Sequence, residues 1–412
     1  MQTRLAEFIK DTPDGQEADQ ILRKCTHCGF CLATCPTYRL LGDELDSPRG
    51  RIYQIKQVLE GERPSPSIQL HLDRCLTCRA CETTCPSGVQ YSRLADLGRT
   101  LVEQRVPRRL HQRLMQLGLR LVLPRRRLFG SLLALGRAFR PLLPAPLAKK
   151  IQPRRQAPAW PIARSRPRKV LLLEGCVQPA LEPTLNPQTA RLLDGLDIAV
   201  IRSPKAGCCG AIDQHLGHPA TARDRMQRNI DAWWPHVEGG AEAIVVNASG
   251  CGAQLKDYAH QLRSDPSYAA KAKRVTELTI DPVELLEAHA EALVPAADVP
   301  RQIAFQAPCT LQHALRLPGR VERLLTKVGF ELTPVADPHI CCGSAGTYSV
   351  LQPKLAAQLR TQKLHSLMSG QPQLIATANI GCLTHLAEGS SVPVRHWLEL
   401  IDIKPSAPRS LR

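Results

Sequence analysis

Eight cysteines in two short runs carry the clearest chemistry of this chain. Cys25, Cys28, Cys31 and Cys35 precede Pro36, and Cys75, Cys78, Cys81 and Cys85 precede Pro86, so both runs read C-x2-C-x2-C-x3-C-P. A cubane of four irons needs a thiolate on each iron. Three cysteines in a tight C-x2-C-x2-C loop wrap three corners, and the fourth corner faces away and takes a Cys from elsewhere. With this spacing, the fourth Cys of each run ligates the other cluster. One 4Fe–4S cluster is therefore expected on Cys25, Cys28, Cys31 and Cys85, and a second on Cys75, Cys78, Cys81 and Cys35. The prolines restrict the residue before them and end any local helix. Structural zinc or disulfides are the bland alternatives, but zinc takes paired knuckles more often than a repeated fourfold run.

The elements that position these residues fall into blocks. Residues 1–103 hold both runs, with helical stretches at Ala18 to Lys24 and Arg49 to Glu60, which predicts a mostly α ferredoxin-type domain. Residues 104–169 form a basic, Pro/Arg-rich linker. From Gln104 to Lys169 there are 18 Lys or Arg and no Asp or Glu, so the rest of the chain carries 36 basic against 37 acidic residues. Leu110 to Val122 and Leu128 to Phe139 mix leucine and arginine at helical spacing, and Gln152 to Arg168 reads as coil. Such helices suit an anionic membrane surface or equally a helix pair packed on the protein itself or on a partner subunit, with a solvated basic face. A basic total can also signal nucleic acid, but aromatic residues are only 4% of the chain and no recognition motif accompanies the stretch. Nucleic-acid binding is not expected.

The remainder is duplicated. Cys176, the pair Cys208 and Cys209, and Cys251 recur as Cys309, the pair Cys341 and Cys342, and Cys382. The first interval is 32 residues in both copies, and the second is 42 and 40. Apolar β-like runs at Val170, Ile244, Ile303 and Leu374 alternate with helical stretches at Ala222 to Trp234 and Lys354 to Met368. Parallel α/β units follow, with cysteines just after the strands, where ligands gather in open sheets. Domains are expected at 170–295 and 296–412. Gly210 and Gly343 suit a turn that points two thiolates at one metal, so each set of four cysteines is a candidate further centre, iron–sulfur or zinc, or else a set of structural thiols. Asn247 and Asn379 are expected to cap turns rather than bond a thiolate. His27 and His385 are not expected to be ligands.

Sixteen cysteines without an N-terminal apolar leader fit reduced metal ligands in a cytoplasmic compartment. No apolar run approaches the length of a membrane-spanning helix.

Together these features resemble the iron–sulfur subunits of membrane-associated flavin dehydrogenases, a family that includes glycolate oxidase, anaerobic glycerol-3-phosphate dehydrogenase, lactate-utilisation proteins and heterodisulfide reductase. The stretches CTHCGFCLATCPTYRLLGDELDSPRGRIY from Cys25, LDRCLTCRACETTCPSGV from Leu72, NIDAWWP from Asn229 and CCGSAGTY from Cys341 are most similar to the glycolate oxidase group. The resemblance implies a fold of α plus α/β class, with a helical two-cluster domain followed by two cysteine-rich CCG domains. It also implies a subunit that carries electrons from an FAD-containing partner to a quinone or other acceptor, peripheral on the cytoplasmic face of the inner membrane. Lactate or glycerol 3-phosphate is the alternative substrate of the partner, and a metal-stapled scaffold the alternative role. The chain lacks a G-x-G-x-x-G fingerprint, so hydride chemistry is expected on partner chains. In heterodisulfide reductase each CCG domain ends in a further C-x2-C. Here Gln254 and His385 stand where its last Cys would be, which argues against disulfide reduction.

Overall fold

The computed structural model describes residues 1–142, 151, 153, 155–162, 164 and 166–405. Its first part is helical: α1 (Pro13–Lys24), α2 (Pro36–Leu41), α3 (Pro48–Leu59), α4 (Pro66–Asp73), α5 (Ala80–Thr84) and α6 (Tyr91–Arg105). Local sequence starts these helices. The side chains of Thr12, Ser47 and Ser65 accept the backbone N–H of Gly15, Gly50 and Ile68, and a proline follows each cap. Ile21, Leu22, Ile55, Val58, Leu59, Leu94 and Ala95 close the core between α1, α3 and α6.

The two motif prolines act differently. Cys85 is extended and ends α5, as the sequence suggests. Cys35 is also extended, but Pro36 opens α2 rather than closing a helix, because its fixed φ suits the first helical position.

α7 (Leu110–Val122) and α8 (Arg126–Ala138) form a hairpin across the basic segment. The expected coil from Gln152 to Arg168 lies partly outside the described residues. Six linker arginines reach acids of other elements: Arg108 pairs with Asp73, Arg120 with Asp213, Arg126 with Glu174, Arg155 with Glu182, Arg166 with Asp194, and Arg168 with Glu242. Much of the linker's charge is thus spent inside the molecule.

The duplicated part builds two parallel four-stranded sheets of the same topology. The first contains β1 (Arg168–Leu172), β2 (Ile198–Arg202), β3 (Ala243–Val245) and β4 (Thr279–Ile280), in the order β2-β1-β3-β4. Next in the chain comes β5 (Leu293–Pro295). The second sheet contains β6 (Gln302–Gln306), β7 (Glu331–Leu332), β8 (Leu374–Thr377) and β9 (Val394–His396), in the order β7-β6-β8-β9. β10 (Ile401–Ile403) pairs antiparallel with β5, so the C-terminal strand of the second copy clasps the chain between the copies. The registers Val170↔Ala243 and Ile303↔Leu374 place equivalent strands side by side. Both copies share one core, in which Val170, Leu172 and Val245 meet Ile303, Phe305, Leu374 and Trp397. A parallel sheet buried on both faces needs such continuous apolar strands.

Candidate iron–sulfur centres

Each run of cysteines surrounds a small cavity, and the fourth member comes from the other run. Cys25, Cys28, Cys31 and Cys85 line one cavity together with His27, Arg49 and Tyr91. Cys35, Cys75, Cys78 and Cys81 line a second, with Arg51, Thr77 and Tyr91. Cys81 also touches the first cavity, so it stands in the wall between them. Tight turns make this possible. Cys25 ends α1 in extended backbone, and His27, Thr77 and Arg79 adopt positive φ inside the runs. All sixteen cysteines lie among the described residues and none pairs in a disulfide.

The two cavities differ electrically. Burial pushes the Cys25 thiol up and that of Cys31 up to about 11. Burial likewise raises Cys78 and Cys81. At Cys75 burial acts in the same direction, but the guanidiniums of Arg51 and Arg99 outweigh it and hold the thiol below its ordinary value. Arg99 donates to the carbonyl of Cys75 (2.5 Å) and to Thr77 Oγ1 (2.8 Å). Arg51, fully buried, donates to the His71 carbonyl (2.7 Å) and to Thr37 Oγ1 (3.1 Å). Its counter-charge is Asp46, which also accepts from Arg74 (2.7 Å). Asp46, Asp43 and His71 lie close enough to suggest a cation site, but two arginines already satisfy that carboxylate. The runs of cysteines gave no hint of these charges; the nearby DSPRGR segment, with an acid and two bases, is the local signal for Asp46 and Arg51.

The repeats each gather four thiols as well. In the first, Cys208 lies at the centre, held well below its ordinary value by hydrogen bonds from Cys176 and then Cys209, while Cys209 also bonds Cys251. In the second, the Cys309 and Cys341 sulfurs are 3.8 Å apart and those of Cys342 and Cys382 3.2 Å apart. The glycine after each pair has positive φ and its N–H reaches the first sulfur of the pair, Gly210 to Cys208 and Gly343 to Cys341, both at 3.5 Å. Both quartets line one larger cavity, which Cys75 also borders.

The asparagines part company. Asn247 is buried in a polar cluster with Gln178, Asn186 and Thr189. Asn379 does bond sulfur, with Nδ2 3.7 Å from Cys382, and its Oδ1 accepts Gly250 N–H of the other copy at 3.1 Å. The expectation of a turn cap therefore fails for Asn379, because its amide sits where the two copies meet. His27 Nε2 lies 3.2 Å from the Met1 sulfur, and Nε2 of buried His385 lies 3.1 Å from the Ala356 carbonyl oxygen.

The helical module docks on both copies. Leu76 packs with Cys341 and Tyr348, beside Cys78 and Cys309. Arg39 pairs with Asp337 of the second copy at 2.8 Å. Towards the first copy, Arg79 pairs with Asp257, and Glu17 takes His260 (2.7 Å) and Arg263 (3.0 Å).

Comparison with known proteins agrees with this layout. Residues 21–89 match the 4Fe-4S dicluster domain model, and residues 170–256 and 303–387 each match the cysteine-rich domain model. The chain is 54% identical to the glycolate oxidase iron–sulfur subunit of Escherichia coli, over 98% of each protein. It belongs to that family of iron–sulfur subunits. A probable glycolate oxidase iron–sulfur subunit of Bacillus subtilis is 30% identical over 93% of this chain and 91% of its own length. A lactate utilization protein A of an Exiguobacterium species is 25% identical over 57% of this chain, 96% of its own length. As an iron–sulfur subunit, the protein works as part of an oxidoreductase and has a partner subunit. Among the described residues no helix is long and apolar enough to cross a membrane.

Proposed function

We propose that this chain is the electron-transfer subunit of a flavin-dependent glycolate dehydrogenase, which turns glycolate into glyoxylate on an FAD-containing partner and passes the electrons to a quinone. The observation that carries the reading is the exchange of fourth cysteines: Cys85 of the second run closes the first cavity and Cys35 of the first run closes the second. Four sulfurs and few other donors fit a 4Fe–4S cluster in each, on Cys25, Cys28, Cys31 and Cys85, and on Cys75, Cys78, Cys81 and Cys35. Bound there, such clusters take up and release single electrons. The chain's own residues bury these centres, orient the thiols through tight turns and set the local field with Arg51 and Arg99. In the repeats, the quartet of Cys176, Cys208, Cys209 and Cys251 and that of Cys309, Cys341, Cys342 and Cys382 are candidate holders of a further iron–sulfur or zinc centre. We read the domains as 1–103, 104–169, 170–295 and 296–412, and place the protein peripherally on the cytoplasmic face of the inner membrane.

The test is anaerobic purification with the partner subunit, followed by metal analysis, EPR of the reduced protein and assay against glycolate, lactate and glycerol 3-phosphate. About eight irons per chain are expected if only the two runs are filled, and clearly more if the repeats hold iron. Zinc in place of coupled 4Fe–4S signals refutes electron transfer in favour of a scaffold. Turnover of lactate but not glycolate refutes the substrate.

A further inference from the structure

Lys363 is a buried lysine without an acid beside it. It sits in the helix Pro353–Met368 and is only 2% exposed. Its Nζ donates to the carbonyls of Asp337 (3.3 Å) and Pro338 (3.0 Å), on the loop that leads into Cys341, and it forms no ion pair among the described residues. The carboxylate of Asp337 is half exposed and already pairs with Arg39 at 2.8 Å. Backbone carbonyls satisfy the hydrogen bonds of an ammonium but not its charge, and an unbalanced buried charge is strongly unfavourable.

The helix aims that charge at the second quartet. Leu359, Lys363 and Leu367 stand four residues apart and share one face. Leu359 packs with Cys341, and Leu367 with Cys342 and Cys382. Burial holds the Lys363 ammonium below its ordinary value, and the charges of Cys342, Cys341, Cys382 and Cys309 work against that. Neutral thiols would leave the ammonium unbalanced. Four thiolates around a divalent metal, or around a cluster core of two positive charges, keep a net negative charge and balance it.

The first copy solves the same place differently. The carbonyls of Ala222 and Ala356 face Gly210 and Gly343, and seven residues further along each helix stand Asn229 and Lys363. Asn229 is fully buried, donates to the Cys208 carbonyl (3.0 Å) and accepts from the Gly207 N–H (2.8 Å). It too ties down the approach to the paired cysteines, but without charge. Arg225 does act on Cys208, yet Asp213 binds that arginine at 2.6 Å. The difference matches the surroundings. Cys309 and Cys341 pack beside Cys78 of the second run, so negative charge on either centre repels the other. Arg51 and Arg99 offset this on the side of the run, and Lys363 on the side of the quartet.

We propose that Lys363 is the built-in counter-charge of a metal centre on Cys309, Cys341, Cys342 and Cys382, and that it raises the hold of this quartet on its metal. The proposal rests on the reading above that the quartet is a metal centre. Lys363 touches no metal; it acts as a positioning residue, through its charge and through the loop before Cys341.

The test uses the complete complex with its partner subunit, kept anaerobic and titrated with EDTA. Iodoacetamide marks each cysteine as it is released, mass spectrometry locates the mark, and the iron and zinc set free are measured. Lys363→Gln keeps a donor for the carbonyls and removes the charge, and Lys363→Met removes both. Each should free Cys309, Cys341, Cys342 and Cys382 at about tenfold less EDTA than the parent, the scale expected for a partner of metal ligands. Cys176, Cys208, Cys209 and Cys251 should respond as in the parent, and Lys363→Arg should stay within threefold of it. A glutamine variant within twofold of the parent leaves Lys363 as a tether of the loop and overturns the proposal. So does an arginine variant as weak as the glutamine one, or an equal shift in both quartets, which marks general loosening. A parent that frees no metal as Cys309, Cys341, Cys342 and Cys382 become labelled refutes the reading of the quartet as a metal centre, and the role of Lys363 with it.

Discussion

Replacing Gly343 by alanine should loosen the second quartet and leave both cysteine runs intact. Gly343 has φ +89°, a region that disfavours a side chain by roughly 1–2 kcal/mol. An added Cβ would stand 2.8 Å from the Ala356 carbonyl oxygen and 2.9 Å from Leu359 Cβ. Both contacts belong to the helix Pro353–Met368, whose backbone cannot yield as a flexible side chain would. Overpacking of this kind costs about 1–3 kcal/mol. The total, about 2–5 kcal/mol, is a large part of a domain's ~5–15 kcal/mol, and it falls on the turn whose N–H meets the Cys341 sulfur. The matching change at Gly210 should be milder, since the nearest atom there, the Ala222 carbonyl oxygen, is 3.1 Å away. Urea unfolding, metal content and EPR of the reduced protein together read the outcome. Gly343→Ala should lower the midpoint more than Gly210→Ala, and the signals of the two runs should persist. A Gly343→Ala protein as stable as the parent, with all its metal, would refute the steric argument.

Three further outcomes follow from the geometry. Cys85→Ser should remove the signal of the first cluster and leave that of the second, with about four of eight irons lost; loss of the second cluster alone would mean that each run serves its own. Arg99→Gln removes a buried positive charge held 2.5 Å from the Cys75 carbonyl and should lower the midpoint potential of the second cluster in an EPR titration. A tenfold change in its reduced-to-oxidised ratio, about 59 mV for one electron, is the expected scale, and a raised midpoint would contradict the electrostatics. Burial raises Asp281 to about 7 despite the hydrogen bond from the Val283 N–H. Its folded pKa lies above the unfolded value, so the folded state holds the proton longer and stability falls as pH rises from about 4 through 7, by up to ~4 kcal/mol. Asp281→Asn keeps the helix cap and should flatten that part of the stability profile; an unchanged slope would place the titration elsewhere.

What the sequence made legible was local. Ligand spacing within each run is a matter of a few residues, so both quartets of the helical module could be drawn before any fold was known. The leucine period likewise predicts the helices of the basic segment to within a few residues. What escaped depends on distant partners. The charge of that segment reads as free in sequence, yet Arg108, Arg120, Arg126, Arg155, Arg166 and Arg168 find acids up to about a hundred positions away. The field at Cys75 comes from Arg51 and Arg99, each 24 residues distant and brought in by α3 and α6. The strands are also shorter than their apolar runs. β1 ends at Leu172, although Leu173 is buried and still donates to the Val245 carbonyl at 3.1 Å, because Gly175 with φ +78° turns the chain towards Cys176.

Duplication of the repeats did not make their cysteines equivalent, and the docked helical module explains why. Its second run lies against the second copy: Cys78 and Leu76 pack beside Cys309, Cys341 and Tyr348. The first copy meets the module through ion pairs of α1 and Arg79 with His260, Arg263 and Asp257, and through Gln214 and His215, which reach Asp96 of α6 a few residues after the Cys208–Cys209 pair. The asparagines diverged in the same sense. Asn247 is buried among amides of its own copy, whereas Asn379 links the Cys382 sulfur to the backbone of Gly250 in the other. One copy is therefore joined to the helical module by sulfur-bearing packing and to its sister by a hydrogen bond at its last cysteine. The other is held mainly by charge. This asymmetry sets Cys309 and Cys341 of the second copy beside Cys78 of the second run.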